Sequence, residues 1–430
     1  MDRFILRNPY HLPTHFYNLK ADLEELPPPP LNPVTKNPLK PEELEVIFPK
    51  SFIAQEITTE RFISIPAEVL EAYSVYRPTP LIYASKLMAY LDTPARIFYK
   101  YEGVSPTGSH KTNTALMQAY LARKDGITAL STETGAGQWG SALSYAGSKF
   151  GLNVQVYMVR ASFRQKPGRR IMMEIFGGQV LESPSPTTEA GQKYYDENPD
   201  HPGSLGIAIS EAVEVAAKNP KIKYSLGSVL DAVLLHQSII GLEAERQLQE
   251  IGILPEVVIG CVGGGSNFAG LSFPFVRKKL KDKADIKFIA VEPEACPSLT
   301  RGKLGYDHGD SVGLTPLLYM HSLGKEFIPP AIHAGGLRYH GMAPLVSHLV
   351  KKGIVEARAY SQKAVFEAAR LFFKTEGVLP APESAHAIAA VIDEALEARK
   401  TRKSPTILFN LSGHGFLDIN AYDPNSANNV

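Results

Sequence analysis

The stretch VVIGCVGGGSNFAG, residues 257–270, decides the fold class. Its first six residues are a short apolar run of the kind that fills a buried strand, and three glycines follow at once. A glycine-rich turn between a strand and a helix lets several backbone N–H groups converge on an anion. We therefore interpret this turn as a phosphate cradle, although a tight turn alone would also favour glycine. The cradle residues are Gly263, Gly264, Gly265, Ser266 and Asn267.

The spacing of these glycines argues against two common nucleotide sites. It is neither the G-x-G-x-x-G of dinucleotide-binding turns nor the G-x-x-x-x-G-K-[ST] of nucleotide triphosphate loops. Glu292 follows the next apolar run and could imitate the acid that binds a ribose. We expect it instead to be a surface carboxylate.

Strand-like and helix-like segments alternate outward from this stretch. Apolar runs at 127–130, 154–159 and 287–291 are separated by segments of helical period, such as 167–178. This alternation is typical of βαβ units. It predicts an α/β fold with mostly parallel sheets and a ligand site at the carboxyl ends of the strands.

The beginning of the chain differs from the rest because it is rich in proline. The run PPPP at 27–30 favours polyproline II and excludes a regular helix there. We expect the first 76 residues to form an arm or extension.

The composition indicates a globular protein with a small-molecule partner. A chain of 430 residues that is 44% hydrophobic can bury a large core. Its 45 basic and 44 acidic side chains nearly cancel, so we expect neither nucleic acid nor a membrane surface as a partner. Cys261 and Cys296 are too far apart for a disulfide framework or a metal-binding spacing. With no export signal or membrane span recognisable, we expect a cytoplasmic protein.

Lys111 is an unusual residue for its position. It stands in GSHKTN, residues 108–113, where a helical pattern begins and the positive end of the helix dipole disfavours an ammonium. Together with a phosphate cradle, it suggests pyridoxal phosphate held by its phosphate and by a Schiff base to the lysine. The helix N-terminus and burial both favour the neutral amine that this bond requires. Considered alone, Lys111 would more simply be a solvated first-turn residue.

Two further turns follow apolar runs. TETGAGQWG, residues 132–140, offers backbone N–H groups to a substrate carboxylate, and Glu133 could carry protons beside the cofactor. Alternatively, Glu133 and Thr134 could merely cap the next helix. In NLSGHG, residues 410–415, Ser412 could hydrogen-bond a pyridine nitrogen or simply satisfy the turn backbone.

Five motifs together resemble a single family. HKTN, ETGAGQ, CVGGGSN, EGVLPAPES and LSGHG occur in the order and approximate spacing of tryptophan synthase β chains, which are fold-type II pyridoxal phosphate enzymes. The resemblance spans roughly residues 77–416 and implies two three-layer αβα domains with the active site between them. We divide the chain into a proline-rich extension (1–76), an N-terminal α/β domain (77–226) with a mobile lid at about 126–226, and a C-terminal domain with the phosphate loop (227–430).

The resemblance also implies roles for single residues. Lys111 is similar to the lysine that carries the cofactor and shuttles protons, and Glu133 to the acid/base group that acts on indole. Besides the 263–267 loop, the expected cofactor contacts are His110, Lys111, Asn113, Gly227, Ser228, Glu383 and Ser412. The expected substrate contacts are Thr134, Gly135, Ala136, Gly137, Gln138, Trp139 and Arg338.

The implied activity is that of a lyase of aromatic amino acid biosynthesis. Indole replaces the β-hydroxyl of L-serine and gives L-tryptophan. A neutral serine at the pyridine nitrogen makes the cofactor a milder electron sink than an aspartate would, which suits elimination and replacement. A homodimer and a monovalent cation near residues 263–310 are further implications.

Three features depart from the commonest form of the family and resemble its longer class. Trp139 replaces a histidine, Arg338 stands near the usual position of an aspartate that contacts the substrate hydroxyl, and the N-terminal extension is longer. Arg338 could bind a phosphorylated leaving group, which makes O-phosphoserine a candidate donor, or could form an ion pair in the lid. The extension could cover the docking surface of an α chain, so we expect weak or no association with one.

Two other functions stay open. A serine or threonine dehydratase would share the lysine and the glycine loop without needing the glutamate of ETGAGQ. A non-catalytic module that binds pyridoxal phosphate would not need Lys111, Glu133 and Ser412 together. The basic run at 160–170 lacks stacking aromatics, so we expect it to be solvated or to face the lid.

Overall fold

Strands and helices alternate along residues 4–423, the part of the chain that the computed structural model describes. The strands are β1 Ile5–Leu6, β2 His15–Tyr17, β3 Phe62–Ser64, β4 Leu81–Tyr83, β5 Arg96–Tyr101, β6 Ala129–Thr134, β7 Asn153–Val159, β8 Gln179–Ser183, β9 Ile222–Tyr224, β10 Val257–Cys261, β11 Lys287–Pro293, β12 Lys303–His308, β13 Leu317–Ser322, β14 Val355–Tyr360 and β15 Thr406–Leu411. The α-helices are α1 Pro41–Leu44, α2 Lys50–Ile57, α3 Ala67–Ser74, α4 Ser85–Leu91, α5 Lys111–Lys124, α6 Gln138–Phe150, α7 Arg160–Gln165, α8 Pro167–Ile175, α9 Glu189–Glu197, α10 Leu205–Lys218, α11 Asp231–Gln237, α12 Ile239–Glu250, α13 Ser266–Lys281, α14 Pro344–Lys351, α15 Gln362–Glu376 and α16 Pro382–Thr401.

Two mostly parallel sheets organise these elements. The larger sheet has the order β1-β4-β5-β15-β10-β11-β14, and only its pairs β1–β4 and β4–β5 are antiparallel. The smaller sheet has the order β8-β7-β6-β9 and is wholly parallel. Parallel strands need a crossover between them, and the intervening helices supply it.

Each sheet is covered on both faces. In β10, Val257 and Ile259 join the core beneath α4, α15 and α16, whereas Val258 joins the core on the opposite face with α5, α12 and α13. The smaller sheet lies between α10 and the pair α6 and α8. This explains why the strands read as continuous apolar runs. The predicted fold of two three-layer αβα units is confirmed.

The domain boundary drawn at residue 226 does not coincide with the sheets. Strands β4 and β5, from the predicted N-terminal domain, pair within the larger sheet, where β5 lies beside β15. The smaller sheet comes wholly from residues 129–224. The segment predicted to be a mobile lid, residues 126–226, therefore forms a layered unit of its own.

The expectation that residues 1–76 form an arm is wrong. Pro27–Pro30 do lie outside any helix or strand, as predicted. However, Phe16, Tyr17, Phe52 and Tyr73 are almost completely buried in the main core. Strand β1 extends the larger sheet, and α2 packs on α5 and α11. The segment is thus part of the folded body.

The loops that follow the parallel strands determine where a ligand can bind. Lys111 begins α5 after β5, Gln138 begins α6 after β6, and Ser266 begins α13 after β10. The 412–415 loop follows β15. Since carboxyl ends of parallel strands share one edge of a sheet, these helix N-termini come together where the two sheets meet.

Candidate active site

A cavity of about 70 Å³ lies between these loops. It brings together most of the residues predicted from the motifs. They are His110, Lys111, Glu133, Thr134, Gly135, Ala136, Gln138, Trp139, Gly227, Ser228, Gly263, Gly264, Gly265, Ser266, Asn267, Glu383 and Ser412.

The glycine turn after β10 has the geometry of an anion cradle. Gly265 has a φ of +102°, a left-handed conformation that L side chains rarely adopt, and it caps the N-terminus of α13. A methyl group on Gly264 would lie 2.3 Å from Ser228 Oγ, and one on Gly263 would lie 2.5 Å from the Gly336 carbonyl oxygen. Only glycine therefore fits here, and the N-terminal N–H groups of α13 are directed at the cavity.

Lys111 is the first residue of α5, and its amine faces the cavity. Burial lowers the pKa of the Lys111 ammonium, while Glu383 and Glu133 oppose that shift. Among residues 4–423 we find no hydrogen-bond or ion-pair partner for its Nζ. A desolvated amine without a partner is suited to covalent bonding with an aldehyde.

Glu133 also lines the cavity, near the end of β6. Its Oε2 accepts a hydrogen bond of 2.6 Å from the hydroxyl of Tyr224 on β9. Burial raises the pKa of Glu133 to about 8, although the Tyr224 hydrogen bond and the charge of Lys111 act in the other direction. A carboxyl group with a pKa near neutrality can both take up and release a proton.

Glu383, at the start of α16, joins two walls of the cavity. Its Oε2 accepts a hydrogen bond of 3.0 Å from Gln138 Nε2, and its Oε1 accepts one of 2.8 Å from the Gly336 backbone N–H. The helix N-terminus stabilises the carboxylate electrostatically. Glu383 thus connects the smaller sheet's loop to the 335–337 turn.

Ser412 lies in the loop after β15, deep in the cavity. Its hydroxyl is 2.7 Å from that of Ser384, and its Oγ is 3.7 Å from Cys261 Sγ. Burial raises the pKa of the Cys261 thiol to about 12, so this side chain stays neutral. The floor of the site is therefore formed by uncharged hydroxyl and thiol groups.

The residues present fit pyridoxal phosphate. His110 Nδ1 is buried without a hydrogen-bond partner in the described part of the chain, while its Nε2 lies 3.4 Å from Ser266 Oγ beside the glycine cradle. Burial, and then the charge of Lys111, lowers the pKa of His110 to about 3, which leaves the ring neutral. An unpaired ring nitrogen, a glycine cradle and a free amine are the groups that such a cofactor needs.

Asn113 does not line the cavity, which corrects the cofactor contact predicted for it. Its Oδ1 accepts hydrogen bonds from Tyr76 and Arg77, and its Nδ2 donates to Glu102 and Gln237. All of these side chains are buried. Asn113 points into the body of the protein because it lies on another face of α5 from Lys111.

Arg338 is also absent from the cavity wall. Its Nη2 donates to the Pro329 carbonyl oxygen at 3.2 Å, and among residues 4–423 it forms no ion pair. Neither direct contact with a phosphorylated donor nor an ion pair in the lid matches this placement. Gly137 stands behind the cavity wall as well, with a φ of +94° at the start of α6.

Glu292 is buried, so the expectation of a surface carboxylate is wrong. Its side chain is 1% exposed and accepts hydrogen bonds from the backbone N–H groups of Leu299 and Thr300 at 2.8 Å. It stabilises a turn after β11 and takes no part in the cavity.

Other cavity residues were not predicted from the sequence. The Gly335-Gly336 pair was a usable signal, because adjacent glycines commonly mark a close backbone approach. Leu205 and Tyr339 gave no such signal, since a single apolar residue in a helical or irregular segment is ordinarily core. The unpredicted lining residues are Ser109, Leu205, Cys261, Gly335, Gly336, Leu337, Tyr339, Ala381 and Gly413.

Two further observations concern metal ions and membranes. Between residues 4 and 423, no group of three or more His, Cys, Asp or Glu side chains is arranged to hold a metal ion. The monovalent cation near 263–310 stays a prediction.

Within residues 4–423, none of the helices combines the length and the apolar character needed to cross a bilayer.

Comparisons with known proteins agree with this geometry. The family model of the pyridoxal-phosphate dependent enzymes matches residues 73–413. The tryptophan synthase beta chain 2 of Thermotoga maritima is 61% identical over 96% of this chain and 98% of its own. That of Aquifex aeolicus is 59% identical over 98% of both chains, and that of Pyrococcus furiosus 58% identical over 96% of this chain and 92% of its own.

Solved structures of lower identity share the fold. Threonine deaminase isoform 2 of Solanum lycopersicum superposes with a TM-score of 0.60 at 20% identity, over 83% of this chain and 90% of that one. The fungal L-serine ammonia-lyase of Rhizomucor miehei has a TM-score of 0.58 at 18% identity, over 81% of this chain and 97% of that one. At such identities the likeness concerns the fold alone.

The raised pKa of Glu133 predicts a pH-dependent stability difference for Glu133→Gln. In the unfolded chain Glu133 loses its proton near its ordinary pKa of 4.5, whereas the folded chain keeps it to about 8. Its contribution to the free energy of unfolding therefore falls as the pH rises between these values and levels off above them. The glutamine variant cannot ionise, so it should gain stability relative to the native chain as the pH rises.

Urea unfolding of both cofactor-free proteins at about pH 5 and about pH 9 measures this difference. A stability difference that is the same at both pH values would contradict the raised pKa. Glu60→Gln is the control, because Glu60 is an exposed glutamate in the N-terminal segment.

Proposed function

Since the chain belongs to the pyridoxal-phosphate dependent enzymes and, among them, to the tryptophan synthase beta chains, we propose that it condenses L-serine with indole to L-tryptophan. The observation that carries this proposal is the placement of Lys111 and Glu133, both desolvated, in the wall of one cavity. The reaction replaces the β-hydroxyl group of the amino acid by C3 of indole and releases water.

Pyridoxal phosphate, when bound, supplies the electron sink that allows an amino acid to lose its α-proton and β-hydroxyl. The 263–267 loop and His110 would hold its phosphate, and Lys111 its aldehyde carbon. Ser412 would face the pyridine nitrogen as a neutral hydrogen-bond partner. Lys111 is the group that can take the α-proton, because burial favours its neutral amine.

The donor amino acid would be held by the turn between β6 and α6. We name Gly135, Ala136, Gly137 and Gln138 the carboxylate loop. Its position at the N-terminus of α6 suits a carboxylate, since the helix dipole and free N–H groups attract an anion. Glu383 fixes Gln138, and so keeps the loop closed against the 335–337 turn.

The acceptor would approach from the side of Glu133. A second cavity of about 330 Å³, lined mainly by apolar side chains, shares Tyr339 with the catalytic cavity. Tyr224, which donates to Glu133, also lines it. An apolar aromatic molecule such as indole fits these surroundings, and Glu133 is placed to accept the proton that indole loses on bond formation.

The alternative function, that of a serine or threonine dehydratase, has less support. The threonine deaminase and the L-serine ammonia-lyase share the fold at 20% and 18% identity, which says nothing of substrate. A simple deamination would need neither a titratable carboxyl in the same cavity as the lysine nor a large apolar cavity beside it. A non-catalytic module is disfavoured for the same reason, since binding alone requires no proton carrier.

We propose further that the chain is a cytoplasmic homodimer that associates weakly, or not at all, with an α chain. The α-chain proposal rests on residues 1–76, several of whose side chains are buried in the main core. Pro27–Pro30 form part of the wall of the apolar cavity in which we place the acceptor.

The purified, cofactor-loaded chain should make tryptophan from indole and L-serine. Lys111→Ala should lower the rate by at least about a hundredfold, because it removes both the attachment point and the proton acceptor. Liquid chromatography of the products measures this. Pyruvate without tryptophan would instead support the dehydratase.

Arg338→Ala should leave the donor preference unchanged. The guanidinium binds the Pro329 carbonyl and does not reach the cavity wall, so it has no contact with a leaving group. The ratio of kcat/KM for L-serine to that for O-phosphoserine measures the preference in both proteins. A shift of about tenfold or more toward L-serine in the variant would restore a donor role for Arg338.

The purified chain should have about twice the mass of its 47.0 kDa protomer in light scattering. Addition of an α chain at micromolar concentration should leave that mass unchanged. Stable co-elution of the two chains would contradict the proposal that residues 1–76 hinder docking.

A further inference from the structure

Of the two expectations for the basic run at 160–170, that it is solvated or that it faces the lid, the first is wrong for most of its cations, because Arg160, Lys166 and Arg169 are buried. Arg160 donates to backbone carbonyl groups, including that of Pro184. Lys166 and Arg169 are 7% and 1% exposed. Only a specific partner can compensate charges at such depth.

That partner is Asp418, which lies beyond the last strand in the 3-10 helix Phe416–Tyr422. Lys166 Nζ is 2.7 Å from Asp418 Oδ1, and Arg169 Nη2 is 3.0 Å from Asp418 Oδ2. Burial alone would raise the pKa of Asp418, but the two cations hold it at about 2. We name these three residues the Asp418 cluster.

The Asp418 cluster lies directly behind the carboxylate loop. A methyl group on Gly137 would lie 2.6 Å from Arg169 Cβ, so the stem of Arg169 is in contact with the loop backbone. Lys166 Nζ also donates to the His333 carbonyl oxygen at 3.1 Å, at the beginning of the 333–337 turn. The cluster therefore connects the backs of two cavity walls to the loop that carries Ser412.

The position of Arg169 depends on Asp418. Its Nε and Nη1 have no hydrogen-bond partner within residues 4–423, so the contact with Asp418 is the polar bond that fixes the guanidinium. Without the carboxylate, two buried cations would face each other with no compensating charge. Arg169 would then move, and Gly137 would lose the surface against which it packs.

We infer that the Asp418 cluster is a positioning device for the donor amino acid: Asp418 holds Lys166 and Arg169, and Arg169 holds the carboxylate loop in its binding conformation. This inference rests on the proposed function only in identifying the ligand of that loop. The residues act through the loop backbone and touch neither substrate nor cofactor.

The test uses Asp418→Asn in the full-length chain, with two measurements. Hydrogen exchange of the cofactor-free protein should show amides at 134–141 exchanging at least about tenfold faster than in the native chain. In the loaded enzyme, KM for L-serine should rise about tenfold while the dissociation constant of pyridoxal phosphate changes less than about twofold. Asp418→Glu keeps the carboxylate, so its KM for L-serine should be close to that of the native chain.

Asp22→Asn is the matched control. Asp22 is a buried aspartate that also pairs with one arginine and one lysine, Arg61 at 2.8 Å and Lys281 at 3.3 Å, but it lies outside the catalytic cavity. Asp22→Asn should destabilise the region around residue 22 without changing hydrogen exchange at 134–141 or KM for L-serine. Equal effects of the two variants would overturn the inference, as would native exchange at 134–141 in Asp418→Asn.

Arg169→Ala decides the matter if Asp418→Asn does not fold. It keeps the pair of Lys166 and Asp418 but removes the side chain against which Gly137 packs, so KM for L-serine should rise by about threefold to tenfold. An unchanged KM and unchanged exchange would overturn the inference. Hydrogen exchange needs no turnover, so a failure of the proposed tryptophan synthesis stays distinguishable from a failure of the positioning role.

Discussion

The buried charge network around Arg77 is the constraint on which the rest of the structure depends. Arg77 pairs with Glu102 and Glu243, and Lys100 pairs with Glu243, at 2.8–2.9 Å and with no exposure of any of these side chains. Burial alone would raise the pKa of Glu102, but Arg77 and Lys100 hold it at about 2. Because an unpaired buried charge costs several kcal/mol, the four groups require one another. They join the loop before β4, β5 with the residues that follow it, and α12, and Asn113 extends the network to the first turn of α5, which begins at Lys111.

The catalytic cavity contrasts with this network, because its ionisable groups are desolvated without being fully paired. Burial lowers the pKa of Lys111 and raises that of Glu133, so both groups are driven toward their neutral forms. Such a state is unfavourable for stability and useful for proton transfer. A scaffold in which other buried charges, such as those around Arg77, compensate one another can tolerate it. The smaller sheet contributes Glu133 and the larger sheet Lys111, so the chemistry depends on how the two sheets are held together.

Those features of the fold and of the site that depend on residues close together in sequence could be predicted from the sequence. Strand, glycine turn and helix start are contiguous at 257–270, so both the α/β fold and the phosphate cradle were recognisable. Contacts between distant segments were not: nothing near Arg169 indicates Asp418, and nothing near Phe16 indicates the core that buries it. The contacts predicted for Asn113 and Arg338 do not match their placement for a related reason. Proximity to a motif does not fix the direction in which a side chain points. Proline content likewise describes the local backbone, whereas the packing of residues 1–76 depends on their buried aromatic side chains.

The apolar cavity behind Tyr339 separates two tasks along the chain. Much of its wall comes from the N-terminal segment, including Pro27–Pro30, Phe48 and Phe52, whereas Glu133 and Lys111 come from β6 and α5. Under the proposed function, acceptor size and donor chemistry are thus encoded in separate stretches of sequence. Evolution, or an engineer, can reshape the first without altering the second, and the scope of aromatic substrates becomes a property that varies independently of the catalytic machinery.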